Sequence, residues 1–285
     1  CMSLDGSYDL NRETYNGELT LSRFPLDRFL TVDSLGSASA NFRLEGRYFS
    51  WPQAKTSVNA GIRQLFYKEH EYKDITLQAT LDKTHLRGTM VSKDPDAPLD
   101  LVFRGDSLQQ QYQVGLGGYI GKVDLQALHL MQEPLTMGLK VDLQGFIGEH
   151  SAYALKARFD SLSMADSRKT YTLGSLDIDM ASDLKKTTLD VKTGDLQLTF
   201  RADTSLAGFG ESAGKIAGIV GKQIAGKDID MEQIKAELPV FSMHLKGDQN
   251  NAIAKFLKAR NMGFRRLSLD IVSRQRSGIR MGITA

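Results

Sequence analysis

The chain has 285 residues, 25% of them charged, and its 36 Lys and Arg nearly balance 34 Asp and Glu to leave +2. That length allows about two ordinary domains or one extended one, and so small a net charge, with basic residues spread along the strands, argues against a nucleic-acid surface. No apolar run approaches the roughly 18–20 residues that cross a bilayer as a helix, and no secretory signal precedes the first strand pattern.

The chain enters an alternation at once, with Met2, Leu4, Gly6, Tyr8 and Leu10 on one side. A natural N-terminus usually starts more loosely, so the chain is expected to be a piece of something longer. Cys1 is the single cysteine, which excludes an internal disulfide and makes no metal site alone. Acylation of Cys1, as in a lipoprotein, calls for a flexible tether next; a strand follows instead, so a boundary within a longer chain is the better reading. Scarcity of cysteine fits residence in an oxidising compartment.

Strands follow at Tyr15, Gly17, Leu19, Leu21 and at Ala38, Ala40, Phe42, Leu44, with a short helical turn over 24–30 started by Pro25. Further strands are expected at 75–81, 86–91, 99–103, 112–116, 123–127, 137–143, 153–159, 176–180 and 196–200. The clearest set Leu176, Ile178, Met180 against Asp177, Asp179, and Leu196, Leu198, Phe200 against Gln197, Thr199. Side chains of a strand point to opposite faces in turn, so each run has one apolar and one wet face. Turn signals at Lys83-Thr84, Asp94-Pro95-Asp96 and Thr193-Gly194-Asp195 separate neighbours closely enough for antiparallel hairpins. A degenerate repeat is visible: Tyr72 opens and Phe103 to Leu108 closes one three-strand group, and Tyr171 and Phe200 to Leu206 do so for another.

Near residue 206 the composition shifts. Gly210, Gly214 and Gly218 recur at four-residue spacing beside an apolar stripe, Ile216, Ile219, Val220 and Ile224, which predicts a helix over 207–225. Glycines so spaced could pack on a partner helix or a membrane. Lys215, Lys222 and Lys227 interrupt the stripe, favouring a soluble helix on the sheet's apolar face. A second helix is expected over 230–238, ended by Pro239, and a third over 252–259, capped by Asp248 or Asn250. Phe241, Met243, Leu245, then Leu267, Leu269, Ile271, then Ile279, Met281, Ile283 read as strands. The organisation read here is an antiparallel β-repeat groove over 1–205, a helical block with one strand over 206–262, and a terminal hairpin over 263–285. The fold class is mainly β: an elongated, curved antiparallel sheet, a groove or half-barrel.

Chemical motifs are few. Gly210-Glu211-Ser212-Ala213-Gly214 matches the nucleophile elbow of hydrolases, with His244 and Asp228 or Asp230 downstream. That elbow needs a buried parallel strand leading in and a doubly wound sheet around it, and the alternating strands here oppose both. The same stretch fails as a phosphate loop, because Phe209 stands where the first Gly belongs and Ile216 where Ser or Thr would hold magnesium. Gly115, Gly117, Gly118 and Gly121 lack dinucleotide spacing. The histidines His70, His85, His129, His150 and His244 show no ligand spacing, and Arg104-Gly105-Asp106 is a common chance match to an adhesion tripeptide. What remains is the apolar face, too large for the short helices to cover, and such a surface is a binding site or a hazard.

The phrases Leu4-Asp5-Gly6-Ser7-Tyr8-Asp9-Leu10, Tyr15-Asn16-Gly17-Glu18-Leu19-Thr20-Leu21 and Phe24-Pro25-Leu26-Asp27-Arg28-Phe29-Leu30 resemble AsmA-like and TamB-like envelope proteins, particularly those of Bacteroidota. Val123-Asp124-Leu125-Gln126-Ala127-Leu128 and Leu139-Lys140-Val141-Asp142-Leu143-Gln144-Gly145 repeat the style. The likeness covers most of 1–205, and the 206–262 block lies outside it. It implies a periplasmic protein held in the inner membrane by a helix elsewhere, a β-groove passing phospholipid, and a role in outer-membrane biogenesis with an outer-membrane β-barrel protein as partner. It brings no catalytic residue, cofactor or metal. The expected groove lining is Leu139, Val141, Leu155, Phe159, Ile178, Met180, Leu198 and Phe200. The competing reading is a β-repeat scaffold that binds envelope proteins and carries no lipid.

Overall fold

A computed structural model describes the chain except residues 30, 32–33, 51–52, 109–110, 150–151, 167–168, 227–230, 260–261, 275–277 and 285. Leu30, His150, Lys227, Asp228 and Asp230, named above, lie outside the described residues. The chain is mainly β: among the described residues sixteen strands form one sheet in sequence order, antiparallel and not closed. The first eight are β1 (Met2–Asp9), β2 (Thr14–Pro25), β3 (Leu35–Arg47), β4 (Lys55–Tyr67), β5 (His70–Asp82), β6 (His85–Ser92), β7 (Leu99–Leu108) and β8 (Gln111–Asp124). Then come β9 (Thr136–Ile147), β10 (Tyr153–Ala165), β11 (Thr170–Ser182), β12 (Thr187–Thr193) and β13 (Leu196–Ala202). Helices α1 (Leu206–Gly226) and α2 (Met231–Glu237) precede β14 (Phe241–Gly247), and α3 (Ala252–Ala259) precedes β15 (Leu267–Arg274) and β16 (Gly278–Thr284).

Two compact units divide the chain. One comprises Cys1–Gln144 with Phe159–Thr172, the other Gly145–Arg158 with Leu173–Ala285. In the first unit the centre of the sheet is filled by small residues, Ala38, Ala40 and Ala60, beside Leu21 and Leu101, all buried. In the second, Leu196, Phe200, Ala202 and Ala254 are buried where helices meet strands.

Local chemistry sets several boundaries differently from the sequence reading. No separate strand forms over 123–127, whose first two residues end β8. β8 runs unbroken from Gln111 to Asp124 and stops there, because the Asp124 carboxylate accepts the N–H groups of Gln126 and Ala127 and turns the chain. The cap of α3 is neither Asp248 nor Asn250 but Asn251, whose Oδ1 accepts the Ala254 N–H at 2.7 Å. Asn250 is engaged elsewhere, donating its N–H to Asp195 at 2.8 Å. The helical turn near Pro25 is a single 3-10 turn, Leu26–Arg28, with β2 running up to Pro25 itself.

Candidate functional site

Antiparallel register places paired residues on the same side of a sheet, so alternation within strands becomes continuous rows across them. In the first unit Leu19, Phe42, Ala60, Leu77, Met90 and Leu101 succeed one another from β2 to β7. A flanking row runs Leu21, Ala40, Ile62, Ile75. The opposite side carries Glu18, Arg43, Asn59, Gln78 and Thr89 in the same succession, with Arg43 3.5 Å from Glu18. Gly118 continues the apolar row opposite Leu101 with φ +146°, and a Cβ there would run into the Asp100 carbonyl.

In the second unit two parallel rows are apolar throughout their described side chains. One is Ile178, Val191, Leu198, Leu245 and Leu269; the other is Met180, Leu189, Phe200, Met243 and Ile271. The backbone register carries them on to Ile283 and Met281. Phe200 is buried and the remaining members are half-buried. The wet side of the same strands holds ion pairs: Arg201 with Asp190 at 2.7 Å, and His244 with Asp270 at 2.5 Å.

Helices meet this apolar side at both ends. At one end Ser182 Oγ accepts the Leu206 N–H and Thr187 Oγ1 donates to the Thr204 carbonyl. Phe209 of α1 then packs edge-on against Phe200 and Phe241, with ring centroids 4.9 and 5.4 Å away. At the other end the Ala252 N–H of α3 donates to Thr193 Oγ1, while Asp195 accepts from Asn250 N–H and Asn251 Nδ2. The Asn251 bond, before all other causes, holds the Asp195 carboxyl below the usual range. Beside α3 lies a cavity of about 490 Å³, its lining including Ala254, Met262 and Phe264 with Lys255, Lys258 and Arg265.

Of the eight residues expected to line a groove, Ile178, Met180, Leu198 and Phe200 therefore stand together in the two rows of the second unit. Leu139 and Val141 occupy alternate positions of β9 in the first unit, half-buried and buried. Leu155 and Phe159 flank buried Ala157 on β10, Leu155 in the second unit and Phe159 in the first. The wet side of β10 is marked by Lys156 and Arg158, 3.6 and 3.7 Å from Asp179 and Asp177 of β11. Ser212 stands inside α1 rather than at a strand-to-helix turn, and His244 is paired on the wet side.

One constellation escaped the sequence reading. His70, at the start of β5, faces the turn between β6 and β7, where Asp94 and Asp96 stand; one ligand atom from each lies within 4.8 Å of the others. Asp94 is 1% exposed and its carboxylate accepts the N–H groups of Lys73, Asp96 and Ala97. Among the described residues His70 Nε2 has no hydrogen-bond partner, and it sits 3.6 Å from Asp94 Oδ1. Spacing along the chain could not show this, because it depends on the left-handed backbone at Asp74 (φ +51°), whose carbonyl accepts the Lys93 N–H at 3.1 Å, and on the register of β5 on β6.

No protein-family model, curated protein or solved structure matches the chain.

Proposed function

We propose that this chain holds phospholipid acyl chains against its apolar sheet face, as a segment of an AsmA/TamB-like periplasmic protein anchored to the inner membrane by a segment elsewhere. On this reading it passes lipid and supports outer-membrane biogenesis, with an outer-membrane β-barrel protein as partner. The observation that carries the reading is the pair of apolar rows from β11 to β15, half-buried but for buried Phe200 and free of any polar described side chain. Each acyl methylene moved from water onto such a surface gains about 0.8 kcal/mol. Repetition matters as much as strength, since a chain slides only where successive positions bind it alike.

The head group would sit at the α3 end, where Lys255, Lys258 and Arg265 line a cavity together with Ala254, Met262 and Phe264. That charge favours an anionic phospholipid. The test is extraction of protein purified from native membranes, followed by mass spectrometry of the lipid fraction. Phospholipid in stoichiometric amount is expected, with loss of acyl-chain photo-cross-linking on Leu198→Asp or Ile178→Asp. A lipid-free extract from the folded protein would overturn the reading in favour of the protein-binding scaffold.

A further inference from the structure

The geometry points to a divalent cation site made by His70, Asp94 and Asp96, with Zn2+ the best-matched ion, clipping the start of β5 to the turn between β6 and β7. It stands apart from lipid binding and shares no residue with the apolar rows of the second unit.

The His70–Asp94 separation is the first argument. At 3.6 Å, Nε2 and Oδ1 are too far apart to hydrogen-bond, yet each is close to the other and aimed inward. Two ligand atoms on one tetrahedral Zn2+, with bonds near 2.1 Å, stand about 3.4 Å apart. A separation that is poor for a hydrogen bond is therefore the right one for a shared ion. The second argument is the orphaned nitrogen. A ring nitrogen buried without a partner costs free energy, and a metal bond removes that cost.

The three groups are also held before any ion arrives. The His70 ring meets Tyr72 edge-on, with centroids 4.5 Å apart. Asp94 is fixed by three backbone N–H groups, and Asp96 by its own N–H on Asp94 and by the Asp124 N–H on its carbonyl at 2.8 Å. A ligand set of one imidazole and two carboxylates suits Zn2+ over Mg2+, which prefers all-oxygen octahedral surroundings and keeps its water. Three protein ligands leave a fourth position for water. Nearby Lys73 does not compete for the carboxylates, because its ammonium is 2.9 Å from Glu71.

The experiment is a titration of the EDTA-treated full chain with ZnCl2, and separately MgCl2, read by isothermal calorimetry and by thermal melting. One Zn2+ per chain is expected, with a saturable rise in Tm that Mg2+ does not reproduce. His70→Ala should weaken Zn2+ binding at least about tenfold. Should His70→Ala fail to fold, Asp96→Asn, at a half-buried turn position, decides the matter by the same loss. His85→Ala and His244→Ala, which remove exposed His–Asp pairs capable of stray binding, should leave the affinity unchanged. Zn2+ binding absent from the wild-type chain, or undiminished in Asp96→Asn, overturns the site.

Discussion

Asn251 shows what one side chain can hold. It is 1% exposed; its Oδ1 caps α3, and its Nδ2 donates to Asp195 at 2.7 Å and to the Asp248 carbonyl at 2.9 Å. Asn251→Ala should lower the unfolding free energy by about 2 kcal/mol, since it removes a cap and leaves the buried Ala254 N–H unpaired; urea denaturation measures it. Gly194 beside it has φ +57°, and a Cβ would run into the Asn250 carbonyl, so Gly194→Ala should destabilise as well. Asp195 adds a pH signature. Its carboxyl is held below the usual range, first by Asn251 and then by backbone N–H groups. A depressed folded value gives stabilisation that is complete above the unfolded value of about 3.9 and is lost as pH falls through the folded one. Asp195→Asn should therefore lower Tm at pH 7 and make progressively less difference in melts taken below about pH 4. The His70 cluster belongs to this scale too: no residue pattern announces it, because its ligands meet only through strand register and the turn at Asp94.

Strands and helices differ in how plainly they were written. β11 and β13 alternate large apolar with polar residues and were legible directly. β4 is harder to read, because its inward set Thr56, Val58, Ala60 and Ile62 is small or polar in part and its register on β3 shifts between Ile62 and Gln64. β12 was missed for a similar reason: Thr187 and Thr193, each 1% exposed, are polar residues on the apolar side, buried because they bond the chain leading into α1 and the start of α3. The glycines of α1 are the reverse case. Their spacing suggests close packing, yet a Cβ at Gly210, Gly214 or Gly218 would meet nothing within 4 Å. Gly214→Ala should raise stability by about 0.5–1 kcal/mol by removing helix-interior glycine, measurable by thermal melting. Phe200→Ala should cost about 3 kcal/mol, because Phe209 and Phe241 both lose their ring contact with it.

Among the described residues every strand pairs with its neighbours in sequence, with no crossover, and only the β13–β14 and β14–β15 connections carry α-helices. Ion pairs such as Arg43–Glu18, Lys55–Asp82 and Lys156–Asp179 join partners that are each more than half exposed, and such pairs contribute little. With a net charge of only +2, raising NaCl from about 0.1 to 1 M should change the unfolding free energy by less than about 1 kcal/mol. A larger loss would mean that charge pairs on the wet side hold the sheet. The sequence by itself determined most of the strand pattern, the antiparallel pairing, the three helices and the existence of an apolar side, because period and turn chemistry are local. Tertiary structure alone decided which apolar residues stand in one row, where α1 and α3 meet that side, and that His70 faces Asp94. Those depend on register, and a shift of one residue exchanges the two faces of a strand.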